Sequence, residues 1–410
     1  MGEERYLSAR GAAEELGVSL PTLYAYVSRG LVRSEAAGGK RRTRRYRAED
    51  VRRLKEGKEM RRDPSRAAAR ALSWGMPVME SSITLISGGR LYYRGRDAVE
   101  LARTSSAEEV AALIWTGDAD NSSEIFPSGP VALSTRLRAL RESVAGLAPL
   151  ETIQTLLPFA ASEDLAAYDL RPQAVTRTGA RILRLMAVFV AGGSEQGGSI
   201  AEILRRGWAL EGTGSTELIN AALVLCADHE LPVSTFAARC VASSGATPYA
   251  AVLAGLAAMQ GRKHGGVLDL VEAFLREVEV SDDARKVVAG RLRRGDGVPG
   301  FGHALYHEGD PRGAELLRMV AVSYPESPDV ALSEEVAGAV LELVGELPTV
   351  DLGLATLARA SELPPGGAIT LFAVGRTIGW IGHAIEQYAE GSLIRPRTKY
   401  VGEPPRPEYG

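Results

Sequence analysis

The sequence predicts a mainly α-helical protein preceded by a small winged helix-turn-helix head. Apolar residues recur at three- and four-residue spacing through most of the 410-residue chain, and no regular alternation of strand and helix interrupts them. The charge is split: residues 1–66 hold 17 Lys or Arg against 10 Asp or Glu, a net of +7, so the remainder carries −10 within a total of −3. Two differently charged parts are therefore joined in one chain, whose length allows two or three domains.

The head is read first. Ala12 to Val27 forms a helix, a turn at Gly17, and a second helix capped by Ser19 with Pro21 in its first turn. Gly38-Gly39 lies between Leu31-Val32-Arg33 and Arg44-Arg45-Tyr46 like the turn of a small basic hairpin. Lys40, Arg41, Arg42, Arg44 and Arg45 on this wing are expected to face phosphates, with Thr22, Tyr24 and Tyr26 on the helix presented to a DNA groove. The pattern resembles the N-terminal DNA-binding domain of MerR-type regulators and excisionases. Residues 1–60 are assigned to this head, and 61–74 to a linker opened by the proline-containing, non-apolar run Arg61 to Arg66.

The second part opens with two extended runs around Gly88-Gly89, and helices follow over Ala107–Trp115, Ser134–Leu147, Gln173–Ala191, Ser215–Ala227 and Ser333–Gly345. Cys240 to Gly261 lacks charge over about twenty residues, the length of a membrane span. Ser243 to Pro248 breaks it into two short pieces, so it reads as a helix end, a turn and a buried helix, and no membrane partner is expected. Two cysteines, Cys226 and Cys240, in apolar surroundings exclude a disulfide scaffold and point to a reducing compartment. The charged Met1-Gly2-Glu3-Glu4-Arg5 lacks the apolar run of a secretory signal, so a cytoplasmic location is expected.

All five histidines lie between residues 229 and 383, and His264 and His303 are set among glycines that would let a ligand approach closely. A metal site on His303 and His307 has little support: Ala304-Leu305-Tyr306 between them supplies no further ligand, and no zinc frame surrounds them. Gly295 to Gly300 has the glycine spacing of a dinucleotide loop but lacks a preceding buried strand. The remaining set is two glycine-embedded histidines, Asp351 in an apolar run, and Arg312, Arg376 and Arg395. It suits carbon-acid chemistry on a polycarboxylate. A carboxylate removes a proton alpha to a carbonyl, a neutral imidazole bonds the enolate, and arginines hold substrate carboxylates.

Residues from about 75 to 403 resemble citrate synthase. The resemblance is carried in order by Glu80-Ser81-Ser82-Ile83 with Tyr93-Arg94-Gly95, Asp228-His229-Glu230 with Ser234-Thr235-Phe236, His264-Gly265-Gly266, and Pro299 to His303 with Asp310-Pro311-Arg312. Val350-Asp351, Arg376 with Gly379-Trp380, and Leu393 to Arg397 complete it.

The resemblance implies a two-domain all-α fold, with a large domain at 75–265 plus 363–410 and a small domain at 266–362 that closes on it. It implies that Asp351 takes the methyl proton of acetyl-CoA, His264 stabilises the enol, and His303 polarises the oxaloacetate carbonyl. His229, Arg312, Arg376 and Arg395 would hold the dicarboxylate, Arg395 reaching in from the partner of a homodimer. Val298, Gly300, Phe301, Gly302 and His307 would bind CoA, which is a co-substrate; no permanent cofactor and no metal is implied. Val267-Leu268 and Thr349 depart from the family pattern and alter the walls of the acyl site, which leaves propionyl-CoA, and so 2-methylcitrate, open. A rival reading is a transcriptional regulator whose synthase-like part senses CoA esters or citrate.

Overall fold

The structure, a computed structural model, describes residues 6–36, 44–48, 50, 51, 54, 79–127, 129–192, 197–212 and 214–403. The chain divides into two compact units, Met1–Glu80 and Ser81–Gly410. The expected linker, residues 61–74, lies outside the described residues.

In the first unit, helices Ala9–Leu16 and Leu20–Ser28 are separated by Gly17, whose φ of 60° ends the first helix in the left-handed region. They pack on a three-stranded antiparallel sheet, β1 (Tyr6–Ser8), β2 (Ser34–Ala36) and β3 (Arg44–Arg47), in the order β1-β3-β2. Leu16, Leu23, Val32, Tyr46 and Val51 fill the small core. The two strands of the expected wing pair as β2 and β3, while its Gly38-Gly39 turn lies outside the described residues, and β1 adds a strand too short to show a sequence period.

Several expectations about the head change. Ser19 stands at the N-cap, but its hydroxyl bonds Thr22 Oγ1 at 2.9 Å and not a helix amide. Thr22, Tyr24 and Tyr26 lie on the second helix as expected, but two residues along a helix turn about 200°, and Tyr24 is exposed while Tyr26 packs against the core. Arg45 is drawn over the Tyr6 ring at 4.3 Å and toward Glu35 at 3.5 Å, which offsets part of the charge expected to meet phosphate. Arg44 is exposed, and Lys40, Arg41 and Arg42 lie outside the described residues.

The second unit starts with the predicted hairpin, β4 (Thr84–Ser87) and β5 (Arg90–Tyr93), turned by Gly88 and Gly89 and extended by β6 (Arg96–Asp97). The helices follow as expected with shifted ends: Ala107–Thr116, Thr135–Ser143, Pro172–Val190, Ser215–Leu225 and Pro328–Val344. The uncharged window resolves into helices Val233–Ser243 and Pro248–Met259, antiparallel pieces joined by a turn. The helix Gly367–Glu390 is long and apolar enough to cross a membrane, yet other helices enclose it on nearly every side. Its glycines are the reason it fits: Gly379 N–H donates to Ala227 O at 2.9 Å, a backbone-to-backbone contact that a side chain would block.

Two apolar clusters form in this unit. The larger surrounds Gly367–Glu390, and the smaller joins Val271, Phe274, Val288, Val298, Phe301, Val336 and Val340. The helix Val350–Ala360 serves both, with Val350, Leu354 and Leu357 facing the larger cluster and Leu352 and Ala355 the smaller. The spacing i, i+4, i+7 on one face and i, i+3 on the other leaves Asp351 at the seam.

A Cβ at Gly379 would fall 2.3 Å from Asp228 Oδ1 and 2.5 Å from Ala227 O. Gly379→Ala is therefore expected to cost about 3 kcal/mol by overpacking. Denaturant unfolding should show a lowered midpoint with an unchanged slope; an unaltered midpoint would mean that the two segments separate without cost.

Candidate active site

The helix Ser215–Leu225 ends in the turn Cys226 to Glu230, where Glu230 takes a φ of 60°. That turn is fixed from beneath by Asp228, which is fully buried. Thr84 donates to its Oδ2, and His383 Nε2 lies 3.3 Å from the same oxygen. The buried Tyr93 hydroxyl donates to Val224 O at 3.0 Å. His383 thus belongs to the support of the turn, and His229 is the side chain the turn presents.

His229 Nε2 lies 3.0 Å from the Tyr306 hydroxyl, and its ring meets His303 edge-on at 5.2 Å. His303 Nδ1 accepts the Leu305 N–H at 3.1 Å. A neutral imidazole with one nitrogen accepting carries its proton on the other, so His303 Nε2 is a donor. Burial, and then the nearby Arg312 charge, hold His303 below its ordinary pKa, which keeps it neutral. His264 is held further down, to about 4, by burial and by Arg376. Its Nε2 sits 2.7 Å from Ser234 Oγ, which also accepts from Trp380 Nε1 at 3.3 Å.

Two guanidinium groups are buried beside these rings. Arg312 pairs in bidentate fashion with Asp310 at 2.8 and 2.9 Å. Arg376 donates through Nε to Cys226 O at 2.8 Å and lies over Phe372, whose ring makes a T-shaped contact with His264 at 5.8 Å. Cys226 itself is inert, its thiol pushed up to about 12 by burial. Burial raises the Asp351 carboxyl from its ordinary value, against the Thr349 hydroxyl and Arg312, which lower it. The residue as a whole is half-buried.

The structure brings six of the expected residues into one neighbourhood. Arg312 acts on His229, His303 and Asp351, and Arg376 acts on His229 and His264. Others stand apart. Arg395 is exposed on the extended segment that follows the helix Gly367–Glu390. His307 is exposed, and the 303–307 run is a series of turns, so no shared helix face forms with His303. Val298 and Phe301 point into the smaller cluster, because the loop is pinned by Gly302 N–H to Leu347 O and Thr349 N–H to Gly300 O. Only loop backbone and the glycines are left for a ligand there.

Gly265 and Gly266 are also explained differently from expectation. A Cβ on either would strike the backbone of Met259 or Gln260, so they close a tight turn and do not open space for a ligand. Tyr306, Ser234, Asp310 and Phe372 were not among the candidate residues. Tyr306 stands three positions after His303, and an aromatic so close to a histidine is the one local signal that could have marked it.

Residues 71–397 match the family model for the citrate synthase C-terminal domain, and residues 7–63 match that for MerR HTH family regulatory proteins. The citrate synthase of Haloferax volcanii is 32% identical over 364 residues, covering 80% of this chain and 94% of that one. The 2-methylcitrate synthase of Shewanella oneidensis is 27% identical, covering 78% and 91%. The fold matches the Thermoplasma acidophilum citrate synthase, solved with carboxymethyl coenzyme A and oxaloacetate, at a TM-score of 0.71, 22% identity and 82% and 97% coverage. The chain belongs to the citrate synthase family. It is an acyltransferase of the citrate- or 2-methylcitrate-forming type, whose CoA ester is a substrate and which uses no permanent cofactor.

The depressed histidines make stability depend on pH. Between about 4 and the unfolded value near 6.5, the unfolded chain binds the His264 proton and the folded chain does not, so stability rises with pH across that window and is lost as pH falls through it. Asp351, raised when folded, works in the opposite sense from the ordinary carboxylate pKa upward, and so opposes part of this slope. His264→Gln should reduce the slope of unfolding free energy in that window by about 1.4 kcal/mol per pH unit, one proton's worth. Denaturant titrations from pH 4.5 to 7.5 measure it, and parallel wild-type and variant curves would contradict a neutral, buried His264.

Proposed function

We propose that the chain condenses acetyl-CoA with oxaloacetate to give citrate and free CoA. The observation that supports this reading most is a raised carboxyl, Asp351, sharing one neighbourhood with two neutral imidazoles and two buried guanidinium groups. Asp351 removes a proton from the acetyl methyl group while His264 holds the thioester oxygen as the enol forms. The enol carbon attacks the oxaloacetate ketone, and His303 gives its Nε2 proton to the new alkoxide. Citryl-CoA results, and water cleaves its thioester to citrate and CoA. His229, Arg312 and Arg376 hold the dicarboxylate. Arg395 joins them from the second subunit of a homodimer, in keeping with its exposure on a single chain. The glycines of the 298–302 loop meet CoA, and the part spanning 266–362 closes over the substrates.

Propionyl-CoA is the competing donor, since 2-methylcitrate synthases are among the relatives. The head adds a second role. A MerR-type helix-turn-helix with an exposed Tyr24 and Arg44 supports binding to duplex DNA, with the enzyme dimer presenting two heads to a palindromic site. Both roles fit a cytoplasmic protein.

Thiol release with oxaloacetate should be faster with acetyl-CoA than with propionyl-CoA, and Asp351→Ala should lower kcat about 1,000-fold. The same variant should still shift its own promoter DNA on a gel. Tyr24→Ala with Arg44→Ala should weaken that shift, and the wild-type shift should weaken with added salt. No thiol release with any short acyl-CoA would leave the sensor reading in place of the enzyme.

A further inference from the structure

Thr349 begins the helix that carries Asp351, and its hydroxyl does something unusual for that position. An N-cap threonine ordinarily accepts an amide of the first turn. Here the backbone has the extended N-cap conformation, with φ −101° and ψ 173°, but the side chain caps nothing. It donates to Asp351 Oδ2 at 3.0 Å. The first helix amide, Val350 N–H, is taken instead by Asp310 Oδ2 at 3.1 Å, so a carboxylate from another segment caps this helix start.

Thr349 is itself held on three sides. Its N–H donates to Gly300 O at 2.9 Å, and its side chain is buried. Its carbonyl packs so closely on Gly313 that a Cβ there would lie 2.5 Å from the oxygen. A hydroxyl fixed this firmly holds whatever it bonds.

We propose that Thr349 is a positioning residue that fixes Oδ2 of Asp351, leaving Oδ1 as the oxygen that takes the substrate proton. This rests on Asp351 acting as the base, as above. It also assigns a role to a residue that the sequence alone places only in the wall of the acyl site. The charged groups around Asp351 are Arg312 and Asp310, with the protonated thiol of Cys226 nearby. Arg312 and Asp310 pair with each other, so Thr349 is the main lowering influence on a carboxyl that burial raises.

The test uses the full chain with Thr349→Val, which keeps shape and loses the donor, and Thr349→Ser, which keeps the donor. The Asp351 carboxyl is titrated by 13C NMR with selectively labelled aspartate, its signal assigned by Asp351→Asn. Thiol release is followed against pH in parallel. In Thr349→Val the carboxyl pKa should rise by about one unit, and the acid limb of kcat/KM for the acyl-CoA should move up equally. The KM for oxaloacetate should change less than about twofold if uniform binding is untouched. Thr349→Ser should restore both profiles, and Thr349→Ala replaces the valine variant if the latter does not fold. Wild-type activity with superimposed titrations, or a serine variant shifted as far as the valine, overturns the role of Thr349 alone. No thiol release by the wild type overturns the base assignment and this role with it.

Discussion

One buried carboxylate, Asp310, joins the parts of the site. Its Oδ1 accepts from the amide and Nε of Arg312, and its Oδ2 accepts from the Arg312 terminal nitrogen and from Val350 N–H forty positions later. Burying the Arg312 guanidinium beside His229 and His303 without this partner would cost several kcal/mol of uncompensated desolvation. The same carboxylate caps the helix Pro311–Ser323 and captures the first amide of the helix Val350–Ala360. It thereby sets the distance between the arginine and Asp351. The low carboxyl pKa of Asp310, reached against burial by the Arg312 charge and its hydrogen bonds, keeps it ionised for this task.

Burial then sorts the protonation states. The imidazoles of His229, His264 and His303 are all pushed toward neutrality, and the carboxyl of Asp351 toward protonation. A neutral imidazole donates a hydrogen bond without bringing a charge that would have to be removed later, and a carboxylate of raised pKa is a stronger base. The Leu305 amide fixes which nitrogen of His303 carries the proton. The two arginines leave a positive field in which a dicarboxylate and a developing enolate are both stabilised.

Much of the fold was readable because helices of this length repeat their apolar residues, and Gly88-Gly89 marks its hairpin by composition alone. The histidines were readable because there are five in the chain and the motifs around them resemble a known family. Asp310 as a bridge was not, since a carboxylate before Pro311-Arg312 reads locally as an N-cap, and its bond to Val350 is a property of the folded chain. Tyr26 and Arg45 show what local sequence leaves out. Basic and aromatic residues in the head read as a DNA face, but one packs inward and the other is engaged by Tyr6 and Glu35. Phe301 is a similar case, because a loop residue beside glycines can also serve as a core anchor.

The most direct measurement is a crystal structure of the chain with oxaloacetate and carboxymethyl coenzyme A bound. The expected result has oxaloacetate among His229, His303, Arg312 and Arg376, and the carboxymethyl group between His264 and Asp351 Oδ1. Ligands bound away from these residues, or an Asp351 carboxyl turned from the carboxymethyl carbon, would contradict the convergence on which the chemistry depends.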